Sequence, residues 1–356
     1  MTTASALPAA GVTDGETLLE LNEVVKQFPV RSERLIARGR ETVRAVDGVS
    51  LRVRRGETVG LVGETGCGKS TLARCITRLY DLTSGTVVFD GEDISRLPAR
   101  RLRAYRRKMQ MVFQDPYGSL NPRRRVGSII GDPLAANGID SGAARKLRVQ
   151  ELMELVGLNP EHFNRFPAAF SGGQRQRIGL ARALALQPEL LVCDEPVSAL
   201  DVSIQAQIIN LLADLQQKLG LTYIFIAHDL SVVRHVSDRI AVMYLGRIVE
   251  TGETEALFAA PRHPYTQALL SAVPTPDPDL ISETAPITLT GDVPSPIHPP
   301  AGCRFHPRCP RAQSRCRTDD PVLSVAGGGG EHHAVACHFP ISEITSPHPT
   351  GREDPA

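Results

Sequence analysis

Eight residues, GlyGluThrGlyCysGlyLysSer from Gly63 to Ser70, have the composition and spacing of a phosphate cradle. Glycines at 63, 66 and 68 let main-chain N–H groups come close to an anion. Lys69 then supplies a cation for β- and γ-phosphates, and Ser70 a hydroxyl for Mg²⁺. The flanking order fits: ThrValGlyLeuVal (58–62) reads as a buried strand running into the loop, and Lys69 opens a helix whose N-terminus also favours anions. Gly63, Glu64, Thr65, Gly66, Cys67, Gly68, Lys69, Ser70 and Thr71 are therefore the candidate nucleotide-binding run. Further on, LeuLeuValCysAspGlu (190–195) is an apolar strand ending in two carboxylates. At the C-terminal end of a strand in an open α/β sheet, Asp194 is placed to hold a metal's hydration shell. Glu195 points differently and can polarise an attacking water as general base. A third apolar run, Leu221 to Ala227, delivers His228 to the same sheet edge; such a histidine, read alone, is usually structural.

The elements that must carry these residues follow from the pattern. From Leu18 to about Leu270 strand-like and helix-like segments alternate, as in an α/β domain. Val43 to Val53 alternates apolar and polar residues around an expected turn at Asp47 and Gly48. After SerAlaLeuAsp (198–201), Ile204, Ile208, Leu211, Leu215 and Leu219 form one face of a helix that Gly220 ends. Val149, Leu152, Met153 and Val156 mark another helix, closed by Gly157. Residues 1–16 read as a loose tail. A Pro-rich stretch begins after Val273, GlyGlyGlyGly fills 327–330, and the chain after about Ile341 reads as disordered.

A chain of 356 residues with 42% hydrophobic content can bury one large core and a smaller appendage. Its net charge of +1 gives no general attraction to nucleic acid. No apolar run is long enough to span a membrane and the start lacks a secretion signal, so a soluble protein is expected. No internal repeat appears, so one nucleotide-binding unit is expected.

SerGlyGlyGlnArg at Ser171 to Arg175, a hundred or so residues after the phosphate loop, narrows the field. With both motifs present the chain resembles an ATP-binding cassette (ABC) ATPase. The resemblance implies an α/β fold: an ABC-type P-loop core over 17–270 with an antiparallel β-subdomain and a helical subdomain at about 115–170. It makes His228 the γ-phosphate contact and Gln114, in ValPheGlnAspPro, the residue that senses Mg²⁺ and water there. It makes Asp201 the link between two ATP sites. Ser171, Gly172, Gly173 and Gln174 should stand at a helix start, an anion site that clasps ATP bound to a second, identical or paralogous, subunit. Phe170 stands where the family more often has Leu. Adenine would stack on an aromatic ring before the phosphate loop; Phe28 is the best placed, with a plain core role as the alternative, since the basic insertion at 31–40 could alter the path.

Three further segments, ProTyrGlySerLeuAsnPro (116–122), ArgHisProTyrThrGlnAlaLeuLeu (262–270) and GlyCysArgPheHisProArgCysPro (302–310), are similar to the ATPase subunits of oligopeptide and dipeptide importers, with a lean to the second of two paralogues. That resemblance implies two transmembrane permease subunits, an extracytoplasmic solute-binding protein and a peripheral place on the cytoplasmic face of the inner membrane. Nickel or glutathione import is the alternative. A chromosome or DNA-repair ATPase would need a long heptad insertion between Gln114 and Ser171, and a translation factor a second cassette; neither is present.

Cys303, Cys309, Cys316 and Cys337 are four of seven cysteines, gathered in the extension at 271–340. Structural zinc normally uses a pair two to four residues apart, which is absent. Four thiolates suit a [4Fe–4S] cluster, and the importer resemblance points the same way. Zn²⁺ with His306 or His338 is the alternative, and four unligated thiols the plain one. Cys67, Cys75 and Cys193 read as structural. The basic run Arg100, Arg101, Arg103, Arg106, Arg107 and Lys108 reads as a solvated helix face.

Overall fold

The computed structural model describes residues 16–30, 41–115, 118–139, 141–198, 200–273, 287–325 and 333–341. The expected N-terminal tail except Glu16, the basic insertion, Pro116 and Tyr117, the Pro-rich start at 274, the glycine run and the C-terminal tail after 341 lie outside them.

Two long strands, β1 (Thr17–Pro29) and β2 (Thr42–Arg54), form an antiparallel layer with β4 (Ser84–Phe89) and β5 (Glu92–Asp93), in the order β2-β1-β4-β5. The turn expected at Asp47 and Gly48 is not there. Val24 pairs with Val49 and Val25 with Asp47, so Gly48 bulges out of a continuous strand at φ 75°. A bulge shifts the inward face by one residue and imitates, in sequence, the break of a hairpin.

The second sheet carries the chemistry. Its centre is β3 (Thr58–Val62), buried along its whole length, with β9 (Arg239–Tyr244) and β8 (Thr222–Ile226) parallel on either side. Beyond β8 come β7 (Leu190–Asp194) and β6 (Met109–Val112), also parallel. Strands covered on both faces lose the polar alternation and read as the continuous apolar runs seen in the sequence. Helix α1 (Lys69–Ile76) follows β3, and α2 (Ala99–Lys108) precedes β6. The basic run on α2 is not simply solvated. Arg101 pairs with Glu92, Lys108 with Asp90 and Glu189, and Arg106 donates to the Arg78 carbonyl.

Between β6 and β7 lie α3 (Val126–Ala136), α4 (Gly142–Leu155) and α5 (Gly172–Leu184), with α4 burying Val149, Leu152 and Met153 as its spacing predicts. Helix α6 (Val202–Leu219) ends at Gly220 in the left-handed region, φ 64°. Its fully buried face is Ile208, Ile209, Leu212 and Leu215; Ile204, Leu211 and Leu219 are only partly covered. Helix α7 (Leu230–Val236) leads back to β9.

The C-terminal segment is not a separate appendage. After β10 (Arg247–Glu253), α8 (Thr254–Ala259), α9 (Pro264–Ser271) and α10 (Ser314–Thr318), two short strands, β11 (Ser324–Val325) and β12 (Ala334–Val335), extend the large sheet. β12 pairs antiparallel with β10 through Glu250 and Val335 and through Thr251 and Ala334. Phe305 lies fully buried against Tyr244, Tyr265 and His263. Beneath it Glu250, wholly buried, accepts from the N–H groups of Arg262 and His263 and meets His333 Nε2 at 2.7 Å. A segment too small for a core of its own thus shares that of the nucleotide domain.

Candidate active site

Strand β3 ends where the phosphate loop begins, and the loop's glycines answer two separate needs. Gly63 (φ 149°) and Gly68 (φ 110°) have no room for a side chain: a Cβ would stand 2.1 Å from the Met243 and Ala45 carbonyl oxygens. Gly66 has open space but a φ of 82°, which disfavours any other residue. Lys69 is buried and its Nζ donates to the carbonyl oxygens of Gly63, at 2.6 Å, and Glu64, at 3.0 Å, folding the charge beneath the loop. Ser70 Oγ stands 2.8 Å from Asp194 Oδ1, so the hydroxyl and carboxylate expected to serve one Mg²⁺ are adjacent. Burial pushes the Asp194 pKa up, and the Ser70 hydrogen bond and Arg74 oppose this. A divalent cation would restore the ionised form.

Glu195 follows β7 with φ 47°, a left-handed conformation unusual outside glycine, and its N–H bonds to the Ile226 carbonyl at the end of β8. Its carboxylate accepts from Gln114 Nε2 at 2.7 Å and lies 3.6 Å from His228 Nδ1, whereas that of Asp194 meets Ser70. Gln114 comes from the end of β6 and His228 from the end of β8, so three strand ends converge. Thr65, Gln114, Asp115, Glu195, Ser198 and His228 line one open cleft, which joins the phosphate loop to the candidate base and its neighbours. A carboxylate flanked by a donor and an imidazole, beside a phosphate cradle, can orient and deprotonate a water in line with a terminal phosphate.

Other expected residues lie elsewhere. Ser171 caps α5 in a reciprocal capping box: its Oγ accepts from Gln174 N at 3.3 Å and Gln174 Oε1 accepts from Ser171 N at 3.0 Å. Gly173 packs against Ile204, where a Cβ would meet Cγ2 at 2.3 Å. Asp201 caps α6 by accepting from Ile204 N. None of these lines the cleft around Glu195. Phe28, half-buried at the end of β1, stands edge-on to Tyr80 with ring centroids 5.4 Å apart, under the Lys26 ammonium. Tyr80 had no signal in the sequence.

A second cluster forms at the C-terminal segment. Cys303, Cys309, Cys316 and Cys337 line one pocket with His306, His338, Phe305 and Phe339, although up to 34 residues separate them in the chain. The Cys303 N–H donates to the Cys316 carbonyl, fastening two of the four. Burial, followed by the neighbouring thiols, pushes Cys303 and Cys337 up to about 11, and Cys309 is raised chiefly by burial. Among the described residues no three His, Cys, Asp or Glu side chains meet closely enough to hold one metal ion. Reasoning from sequence also missed two residues that touch the phosphate loop, Tyr265 and Arg308: the Tyr265 hydroxyl accepts from Glu64 N and Arg308 pairs with the Glu64 carboxylate.

The chain matches the family described as ABC transporter over residues 46–198, and the oligopeptide/dipeptide transporter C-terminal region over 249–316. It is 52% identical over 325 residues to the oligopeptide transport ATP-binding protein AppF of Bacillus subtilis, covering 91% of this chain and 98% of that protein. It is 53% identical to the probable peptide ABC transporter ATP-binding protein y4tS of Sinorhizobium fredii, covering 91% and 90%. The ATP-binding cassette MJ0796, solved as a dimer in a post-hydrolysis state with ADP and Pi, superposes with a TM-score of 0.59 at 30% identity, covering 67% of this chain and 99% of that one. With phosphate loop, acidic strand end and capped signature helix in place, this chain belongs to the ATP-binding subunits of the oligopeptide/dipeptide ABC transporters.

Proposed function

We propose that the protein hydrolyses ATP to drive import of di- or oligopeptides through two separate membrane permease subunits, on the cytoplasmic face of the inner membrane. An extracytoplasmic binding protein would deliver the solute. The observation that carries the hydrolytic reading is the convergence of Gln114, Glu195 and His228 on the cleft that Thr65 of the phosphate loop also lines. Lys69 exchanges its bonds to Gly63 and Glu64 for the β- and γ-phosphates. Ser70 and Asp194, with Gln114, would hold Mg²⁺, which would supply positive charge to neutralise the phosphates. Glu195 takes the proton of the attacking water, with His228 at the γ-phosphate. Phe28 offers its ring to adenine. Ser171 to Gln174, outside this cleft, clasp ATP on a partner chain, and Asp201 joins the two sites. No described helix is long and apolar enough to cross a membrane, in keeping with a separate pore.

The names of the relatives and the matched C-terminal region support peptides over nickel or glutathione. The direct test is the transporter rebuilt in vesicles with its permease and binding protein. Peptides should stimulate ATP hydrolysis and accumulate inside, whereas stimulation by nickel or glutathione alone would refute the peptide reading.

For the four cysteines the reading is a [4Fe–4S] cluster that clamps the segment. Two features support it. All four thiols line one pocket, and burial, then the neighbouring thiols, disfavours ionisation of Cys303 and Cys337 unless a cationic group joins them. As they stand the side chains do not gather round one metal-ion position, which tells against a single Zn²⁺ and means that a cluster would have to draw the thiols together. Hydrolysis needs no electrons, so the role is structural. Anaerobic purification with iron and sulfide assays should find iron and sulfide in equal amounts; a colourless, zinc-containing protein would overturn it.

A further inference from the structure

The phosphate loop carries an acidic residue where it has no evident use. Glu64 follows Gly63 directly, and a carboxylate beside a polyphosphate site repels the ligand unless a cation masks it. Here the cation comes from 244 residues away. Arg308, 8% exposed, sends Nη1 to Glu64 Oε2 at 2.8 Å. The main chain at the same residue is fixed too: Glu64 N–H donates to the Tyr265 hydroxyl at 2.9 Å. Both holders belong to the C-terminal part of the chain. Tyr265 lies on α9, fully buried against Phe305, and Arg308 sits between Phe305 and Cys309. From the other side, Lys69 takes the carbonyls of Gly63 and Glu64. The first turn of the loop is therefore held between its own lysine and the cysteine segment.

We propose that Arg308 is a positioning residue for nucleotide binding: it masks the Glu64 carboxylate and, with Tyr265, braces the phosphate loop against the four-cysteine segment. The proposal rests on the loop being the nucleotide site and is independent of what the cysteines bind. The segment serves the ATP site through a charge pair and one hydroxyl, and its packing sets how firmly the loop meets the β-phosphate. An arginine suits the place because its guanidinium stays charged when buried and keeps a fixed fork toward a carboxylate.

Affinity of the purified full-length chain for MgADP, which needs no turnover, separates this role from hydrolysis. Arg308→Gln should weaken MgADP about tenfold, the effect of one unmasked carboxylate near the phosphates. Arg308→Lys should restore most of the loss. In a Glu64→Gln background the Arg308→Gln change should shift affinity less than about twofold, because no carboxylate is left to mask. Tyr265→Phe, which removes only the hydroxyl, should weaken MgADP about threefold and serves if Arg308→Gln does not fold. Unchanged affinity in Arg308→Gln, or in Tyr265→Phe where that variant replaces it, would overturn the proposal. So would an equal loss with and without Glu64, which would mark Arg308 as a general packing residue. A wild-type chain that does not bind MgADP would instead refute the assignment of the loop itself.

Discussion

The nucleotide cleft and the cysteine pocket sit on one sheet and are built in opposite ways. In the cleft, side chains from three strand ends reach into open space: Glu195 is 13% exposed and His228 57%. The groups satisfy one another, Gln114 with Glu195 and Ser70 with Asp194, and can exchange those partners for a ligand. In the cysteine pocket the exposed lining is largely apolar, and burial raises the Cys303, Cys309 and Cys337 thiols. A site that must admit, hydrolyse and release needs exposed polar groups on rigid mounts. A pocket with the structural role proposed for the cysteines needs exclusion of water instead. The two meet at Glu64, where Arg308 and Tyr265 touch the loop.

Variants can separate the two regions. Lys69→Ala removes the one cation inside the phosphate cradle, and nucleotide hydrolysis should fall about 1,000-fold. Under the cluster proposal, iron content should be unchanged, and a joint loss would erase the contrast between the regions. Phe305→Ala attacks the shared core from the other end. Removing a fully buried ring should destabilise the protein by about 3 kcal/mol in chemical denaturation and, under the cluster proposal, lower iron content as well. A surface-like cost below about 1 kcal/mol would mean that the segment stands apart after all.

Smaller effects sharpen the picture at its margins. Asp201→Ala should cost about 1 kcal/mol through loss of the α6 cap, measurable in the single chain, besides any effect on a partnered site. Asp90, remote from both regions, is a control. The Lys108 hydrogen bond, then the Arg55 charge, lower its pKa. The stability it adds is present above the usual carboxylate pKa near 4 and is lost as the pH falls through the depressed folded value. Asp90→Asn should flatten that acid limb by less than about 1 kcal/mol, as befits an exposed pair.

Sequence disclosed the cleft far better than the pocket, for a physical reason. The phosphate loop, its strand and its helix are contiguous, and Asp194 with Glu195 sits at the end of an apolar run whose composition announces a buried strand. Local pattern suffices there. The Gly48 bulge was hidden because one extra residue alters the alternation as a turn does. The pairing of β12 with β10, the edge contact of Phe28 with Tyr80 and the reach of Arg308 to Glu64 join residues distant in the chain. No periodicity records such contacts. The four cysteines were legible as a set, but their meeting in one pocket depends on Phe305 entering the ATPase core.

Glu195, lining the cleft at φ 47° and held by Gln114, is the proposed base for ATP hydrolysis. Glu195→Gln in the assembled transporter tests it most directly, by following bound nucleotide and released phosphate together. ATP should be retained unhydrolysed on the protein, with phosphate release reduced at least about 100-fold. Turnover at the wild-type rate would contradict that role.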